Sequence, residues 1–80
     1  MPLVYMHLID GTDVTFDPDG FEMPVEDIAA KALLQARDCM AGDVKDGRLY
    51  LGYRIEVQDE AGEVVHRLNF SDAVEIVQSG

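Results

Sequence analysis

With 80 residues the chain has room for one domain, and a domain of that size buries only about 60–65% of the surface its unfolded chain exposes, which leaves little space for an enclosed active site. Apolar residues make up 48% of it, the share of a folded globular protein and not of a disordered one. Sixteen Asp and Glu against six Lys and Arg give a net charge of −10, which repels phosphate backbones and anionic lipid head groups and argues against direct binding to nucleic acid or a membrane.

The cations Lys31, Arg37, Lys45, Arg48, Arg54 and Arg67 are scattered and form no basic stripe. Cys39 is the single cysteine, so no internal disulfide is possible, which fits a reducing compartment. The N-terminal segment lacks a basic region and reaches Asp10 too early for a signal peptide, and no apolar run approaches the length of a membrane span. The expected location is the cytoplasm.

In chain order, residues 3–9 are apolar except for His7 and favour a strand. Asp10-Gly11 follows and predicts a tight hairpin with φ > 0 at both turn positions. The return strand, residues 12–16, sends Val14 and Phe16 one way and Asp13 and Thr15 the other. Asp17-Pro18-Asp19-Gly20 is a second turn: Pro pre-sets φ, Asp17 is placed to accept backbone N–H bonds, and Gly takes the fourth position. A short strand from Phe21 to Met23 is placed to pair back.

Pro24 opens a helical stretch, with Glu26 and Asp27 at the positive end of its dipole. Ile28, Ala29, Ala32, Leu33, Ala36 and Met40 recur at spacings of three and four, which makes one apolar helix face. Two ends are open to this helix, a cap at Gly42 or a run to about Asp46 with Gly47 as cap, and the longer version is preferred. Leu49, Leu51, Tyr53, Ile55 and Val57 then alternate, which predicts a strand with all five on one face. Asp59-Glu60-Ala61-Gly62 is a turn, and residues 63–70 return as a strand with Val64, Leu68 and Phe70 on one side and His66 among them. Ser71-Asp72 starts a short turn before Ala73 to Val77. The expected fold is a single α+β domain over residues 1–80. It has a mainly antiparallel sheet of about four strands, in ββαββ order, with one amphipathic helix packed on one face.

No strong chemical motif emerges. Thr15, Asp17, Asp19, Gly20 and Glu26 fall at positions one, three, five, six and twelve of a calcium-loop pattern. Thr stands where Asp is needed, Glu22 replaces an apolar residue, and Pro24 interrupts the loop. The plain reading is a Pro-Asp-Gly turn on an acidic surface. Asp17, Asp19 and Glu26 are therefore only weak candidate ligands, and no metal or cofactor is expected. His7 and His66 lie on strands and could meet around a metal, but their spacing does not demand it. Cys39 sits late in the helix beside Asp38, where the dipole and the carboxylate both disfavour a thiolate. Phosphate-cradling G-x-G-x-x-G or G-K-[ST] loops are absent, and no nucleophile elbow surrounds Ser71 or Ser79. No catalytic residues are assigned.

YMHLIDG, then DPDGFEMP before an Ala-rich helix, then RIEVQDEAGEVV and LNFSDAVEI, together resemble an uncharacterised family of short acidic bacterial proteins. The resemblance covers nearly the whole chain. Val25-Glu26-Asp27 departs from it, since members place an acidic cap residue directly after the proline. It implies the hairpin-helix-hairpin order and a bacterial cytosol; no activity and no site residues come with it.

Three roles follow as expectations. The first is a non-catalytic protein-interaction or regulatory module, meeting a protein partner or a second copy through a sheet edge. Tyr5, Tyr50 and Tyr53 are its candidate aromatic anchors, with Tyr53 turned to the core. The second is a small enzyme or ligand-binding domain whose pocket forms between subunits. The third is an acidic partner or inhibitor of a basic nucleic-acid-binding protein.

Overall fold

The computed structural model describes residues 1–79 and has the α+β architecture expected. Strand β1 (Leu3–Asp10) is the organising element. Chain reversal at Gly11-Thr12 brings β2 (Asp13–Thr15) antiparallel to the end of β1, in the register Leu8 to Thr15 and Asp10 to Asp13. The hairpin turn is thus one residue later than the Asp10-Gly11 pair predicts. Only Gly11 has positive φ (55°), because Asp10 is still paired in the strand. After the Asp17–Gly20 turn, the two-residue strand β3 (Phe21–Glu22) pairs with the start of β1, Val4 against Phe21.

A 3₁₀ turn at Val25–Asp27 follows the extended Pro24 and leads into helix α1 (Ile28–Lys45). The longer helix is the correct one, and Gly42 lies inside it. The cap is a Schellman motif: the Gly47 N–H donates to Val44 O (2.9 Å) and the Arg48 N–H to Asp43 O (3.0 Å), with Gly47 at φ +89°.

Strand β4 (Tyr53–Gln58) runs antiparallel to β1, and β5 (Val64–Asn69) runs antiparallel to β4, which gives the order β2-β1-β4-β5. The register between β4 and β5 shifts at Val57 and Gln58. The predicted strand start at Leu49 is wrong. Pairing with β1 ends at Asp10 opposite Tyr53, where β1 turns away, so residues 49–51 have no neighbouring backbone to pair with. Leu49 and Leu51 are left exposed in a connecting segment, and only Tyr53, Ile55 and Val57 share the inner face. At the other end β5 stops at Asn69. Phe70 belongs to a short helix, α2 (Phe70–Ala73), and not to the strand.

The core lies between α1 and one face of the sheet. Val4, Met6, Ile55 and Val57 come from β1 and β4; Ile28, Ala32, Ala36 and Met40 come from α1 at steps of four. Ala32 and Ala36 are wholly buried, and their small side chains let the helix lie close on the sheet. Ala29, assigned to the same stripe, is exposed, since it lies at the edge of that face. Phe70 and Ala73 plug one end and are also fully buried. The Arg37 Nε donates to Ala73 O (2.9 Å), tying α1 to the last carbonyl of α2, where a cation is favourable. Among the described residues, no helix is long and apolar enough to cross a membrane.

Candidate functional site

Helix α1, with the short α2 at one end, covers one face of the sheet, and among the described residues no second layer lies over the opposite face. The strand registers place them. His7 lies directly across from Glu56, Ile9 across from Arg54, Tyr5 across from Gln58, and Glu56 across from Arg67. His7, Ile9 and Glu56 are nevertheless buried, at 8%, 7% and 9% exposure, because longer neighbours cover them. Tyr5 stacks against His7 (ring centroids 6.2 Å apart), and the Phe16 ring meets His7 edge-on at 5.2 Å.

Glu56 is held by two arginines. The Arg54 Nε donates to its Oε2 at 3.0 Å, and the Arg67 Nε to the same oxygen at 3.2 Å. The Arg54 hydrogen bond holds the Glu56 carboxyl below its ordinary value, burial opposes that shift, and Arg67 adds to it. In a chain of net charge −10, this is a local concentration of positive charge.

His7 also joins the two turn motifs of the N-terminal half. The Asp17 N–H donates to His7 Nδ1 at 3.1 Å, so Nδ1 is an acceptor and carries no proton in this arrangement. Asp17 answers with its side chain: Oδ2 accepts the Met6 N–H (3.2 Å), while Oδ1 accepts from Asp19 and Gly20 (3.3 and 3.1 Å). Between β2 and β3 the chain bulges away from β1, and the Met6 N–H would be left without a partner. The Asp17 carboxylate supplies one. Gly20 completes this clasp. It sits at φ +74°, and a Cβ there would stand 2.8 Å from Val4 O, so both conformation and space demand glycine.

This accounts for the calcium-like pattern. Asp17 is engaged by three backbone N–H groups, Asp19 is exposed, and Glu26 lies in the 3₁₀ turn. Among the described residues, no group of three or more His, Cys, Asp or Glu could hold a metal ion. The two histidines are not brought together. His7 faces away from the helix beside Glu56, whereas His66 pairs with Val57 on the helix side, with β4 between them. Of the tyrosines, Tyr53 packs on Phe70 (5.8 Å) and carries Tyr50 stacked at 4.8 Å, which leaves Tyr5 on the uncovered face.

A cleft of about 300 Å³ opens between α1 and the β1–β2 edge, lined by Met6, Leu8, Phe16, Phe21, Gln35 and Cys39 among others. Burial, then Asp43 and Asp38, push the Cys39 thiol above its ordinary value. At neutral pH it is a protonated, weakly nucleophilic lining group.

The Glu56–Arg54–Arg67 cluster was missed at the sequence level. The signal for it was Arg54 and Glu56 two apart on a strand, which puts them on one face. The signal for the clasp was His7, a polar residue inside an apolar strand, which must find a partner when buried.

The chain belongs to the family described as Domain of unknown function (DUF6894), which it matches over residues 3–71. That span includes the clasp, the helix and both hairpins. No curated protein and no solved structure matches the chain.

Proposed function

We propose that this chain is a small interaction or regulatory module, without catalytic activity, that meets a protein partner or another copy of itself through the free edge of its sheet. The observation that carries this reading is β5. It is the last strand in the order β2-β1-β4-β5, and among the described residues nothing pairs with its outer edge. An open edge offers a row of N–H and C=O groups to an added strand. The uncovered face beside it adds Tyr5, Arg54 and Arg67, residue types that act as anchors at protein interfaces. Affinity purification from native cells with mass spectrometry, together with light scattering on the purified chain, tests the proposal. A stoichiometric partner or a defined oligomer is expected. A strict monomer that recovers nothing would overturn it.

A second reading, a ligand-binding domain, is supported by the cleft over Cys39 and Gln35, which lies within one chain and not between subunits. At about 300 Å³ it is at the small end of ligand sites, with an apolar lining and few polar groups. Chemical-shift changes at Gln35, Cys39 and Phe21 on titration with a small apolar fragment library would support it; a blank titration would remove it.

A further inference from the structure

We infer that the occupant of the β5 edge is the C-terminal segment Glu75–Val77 of a second copy of this chain, exchanged reciprocally between two protomers. This inference rests on the proposed edge function and names its partner.

The segment leaves α2 in extended conformation, with Val74 at φ −138° and ψ 155°. Glu75, Ile76 and Val77 follow, all exposed, the last two at 55% and 67%. Two adjacent β-branched residues in the open are costly to leave in water and well suited to a strand. The segment lies beyond the residues matched by the family. The Cα radius of gyration, 13.4 Å against about 12 Å for a compact domain of this length, reflects an elongated molecule 46 Å long.

The protein's own β5 is an awkward target for its own tail. Phe70 and Ala73 are buried in the core, and Arg37 holds the Ala73 carbonyl against α1, so the chain leaves from the helix side of the sheet and not from its edge. A second copy has no such constraint.

Charge and shape then select a register. On β5, Leu68 and His66 lie on the helix side, beside Ile55 and Val57, and Arg67 lies on the other side, beside Glu56. An antiparallel tail with Glu75 opposite Arg67 places Ile76 opposite His66 and Val77 opposite Val65. Glu75 then meets the outer nitrogens of Arg67, whose side chain is 65% exposed and uses its Nε for Glu56. Val65, itself 48% exposed, gains an apolar neighbour in Val77. Shifting the tail by two residues in either direction sets Glu75 against Val65 or Asn69 and loses the charge pair.

The test uses the 80-residue chain with Cys39→Ser as background, so that the native thiol does not interfere. Chains carrying His66→Cys are mixed with chains carrying Ile76→Cys and oxidised gently. A disulfide-linked heterodimer is expected, and its yield should fall several-fold when Glu75→Lys is added to the Ile76→Cys chain. Light scattering on the unmodified chain should show a dimer that a variant lacking residues 75–80 does not form. Circular dichroism should show the variants folded, since Glu75 and Ile76 are exposed and His66 and Cys39 are only half-buried. Three results would overturn the inference: no heterodimer, a dimer unaffected by the truncation, or an intrachain bond in a chain carrying both cysteines. A monomer that still recovers a foreign protein in the pull-down removes this inference and leaves the proposed function standing.

Discussion

The two long edges of the sheet face the same physical problem and solve it differently. On the β1 side the returning strand is broken into β2 and β3, and the gap between them is closed by a side chain: Asp17 accepts the Met6 N–H, and His7 accepts the Asp17 N–H. On the other side β5 runs for six residues, with a register shift that leaves Val65 without a partner on β4, and its outer edge is unpaired among the described residues. One edge is built of the two short strands β2 and β3, with the break between them closed from within the chain. The other is left for something outside it. Residues of the sealed edge should therefore matter for folding, and those of the open edge for association.

The largest effect should come from Gly20→Ala. The substitution puts a Cβ against Val4 O and a side chain at φ +74°, and neither can relax without moving β1. A loss of about 2–4 kcal/mol is expected in urea denaturation. Asp17→Ala should follow, at about 2 kcal/mol, because the Met6 N–H and two turn N–H groups lose their acceptor together. Asp17→Asn should fall between Asp17→Ala and the natural protein, since one amide oxygen remains.

A smaller effect is expected at the Glu56 cluster, which braces β5 against β4. Glu56→Gln should cost about 1 kcal/mol at neutral pH, as its arginine partners are well exposed. Its pH dependence has a defined sign. A carboxyl whose folded value lies below its ordinary 4.5 stabilises the fold fully above that pH and loses the contribution as pH falls through the depressed folded value. The natural protein should therefore lose more stability than Glu56→Gln as pH falls from about 5 through that window, measured by thermal melts in matched buffers. The smallest change in stability, within about 0.5 kcal/mol, is expected for Val65→Lys on the open edge. The same substitution should weaken any edge-mediated association, because a lysine there blocks strand addition. An equal loss of stability from Val65→Lys and Asp17→Ala would abolish the distinction between the edges.

Local chemistry made much of the fold legible. The apolar spacing of Ile28, Ala32, Ala36 and Met40 predicts the helix because only a 3.6-residue period puts them on one face, and Gly47 ends it because a left-handed residue is needed there. The Asp17-Pro18-Asp19-Gly20 turn was equally readable, since each residue satisfies a local backbone demand. Leu49 and Leu51 misled for a matching reason: alternation shows that a strand would be amphipathic, not that a partner strand lies alongside. The Asp10-Gly11 turn moved by one residue because the Asp10 to Asp13 pairing fixed the register.

The sequence by itself determined a small acidic α+β domain, the order of its main elements, the helix with its cap, and the turns at residues 17–20 and 59–62. The tertiary structure alone decided that Asp17 caps Met6, that His7 and His66 stand on opposite faces, that Glu56 draws Arg54 and Arg67 together, and that β5 keeps an open edge. The division has a physical cause. Turns, caps and periodicity arise between residues a few positions apart, whereas sheet register and edge exposure depend on contacts between distant segments, which no short stretch of sequence contains.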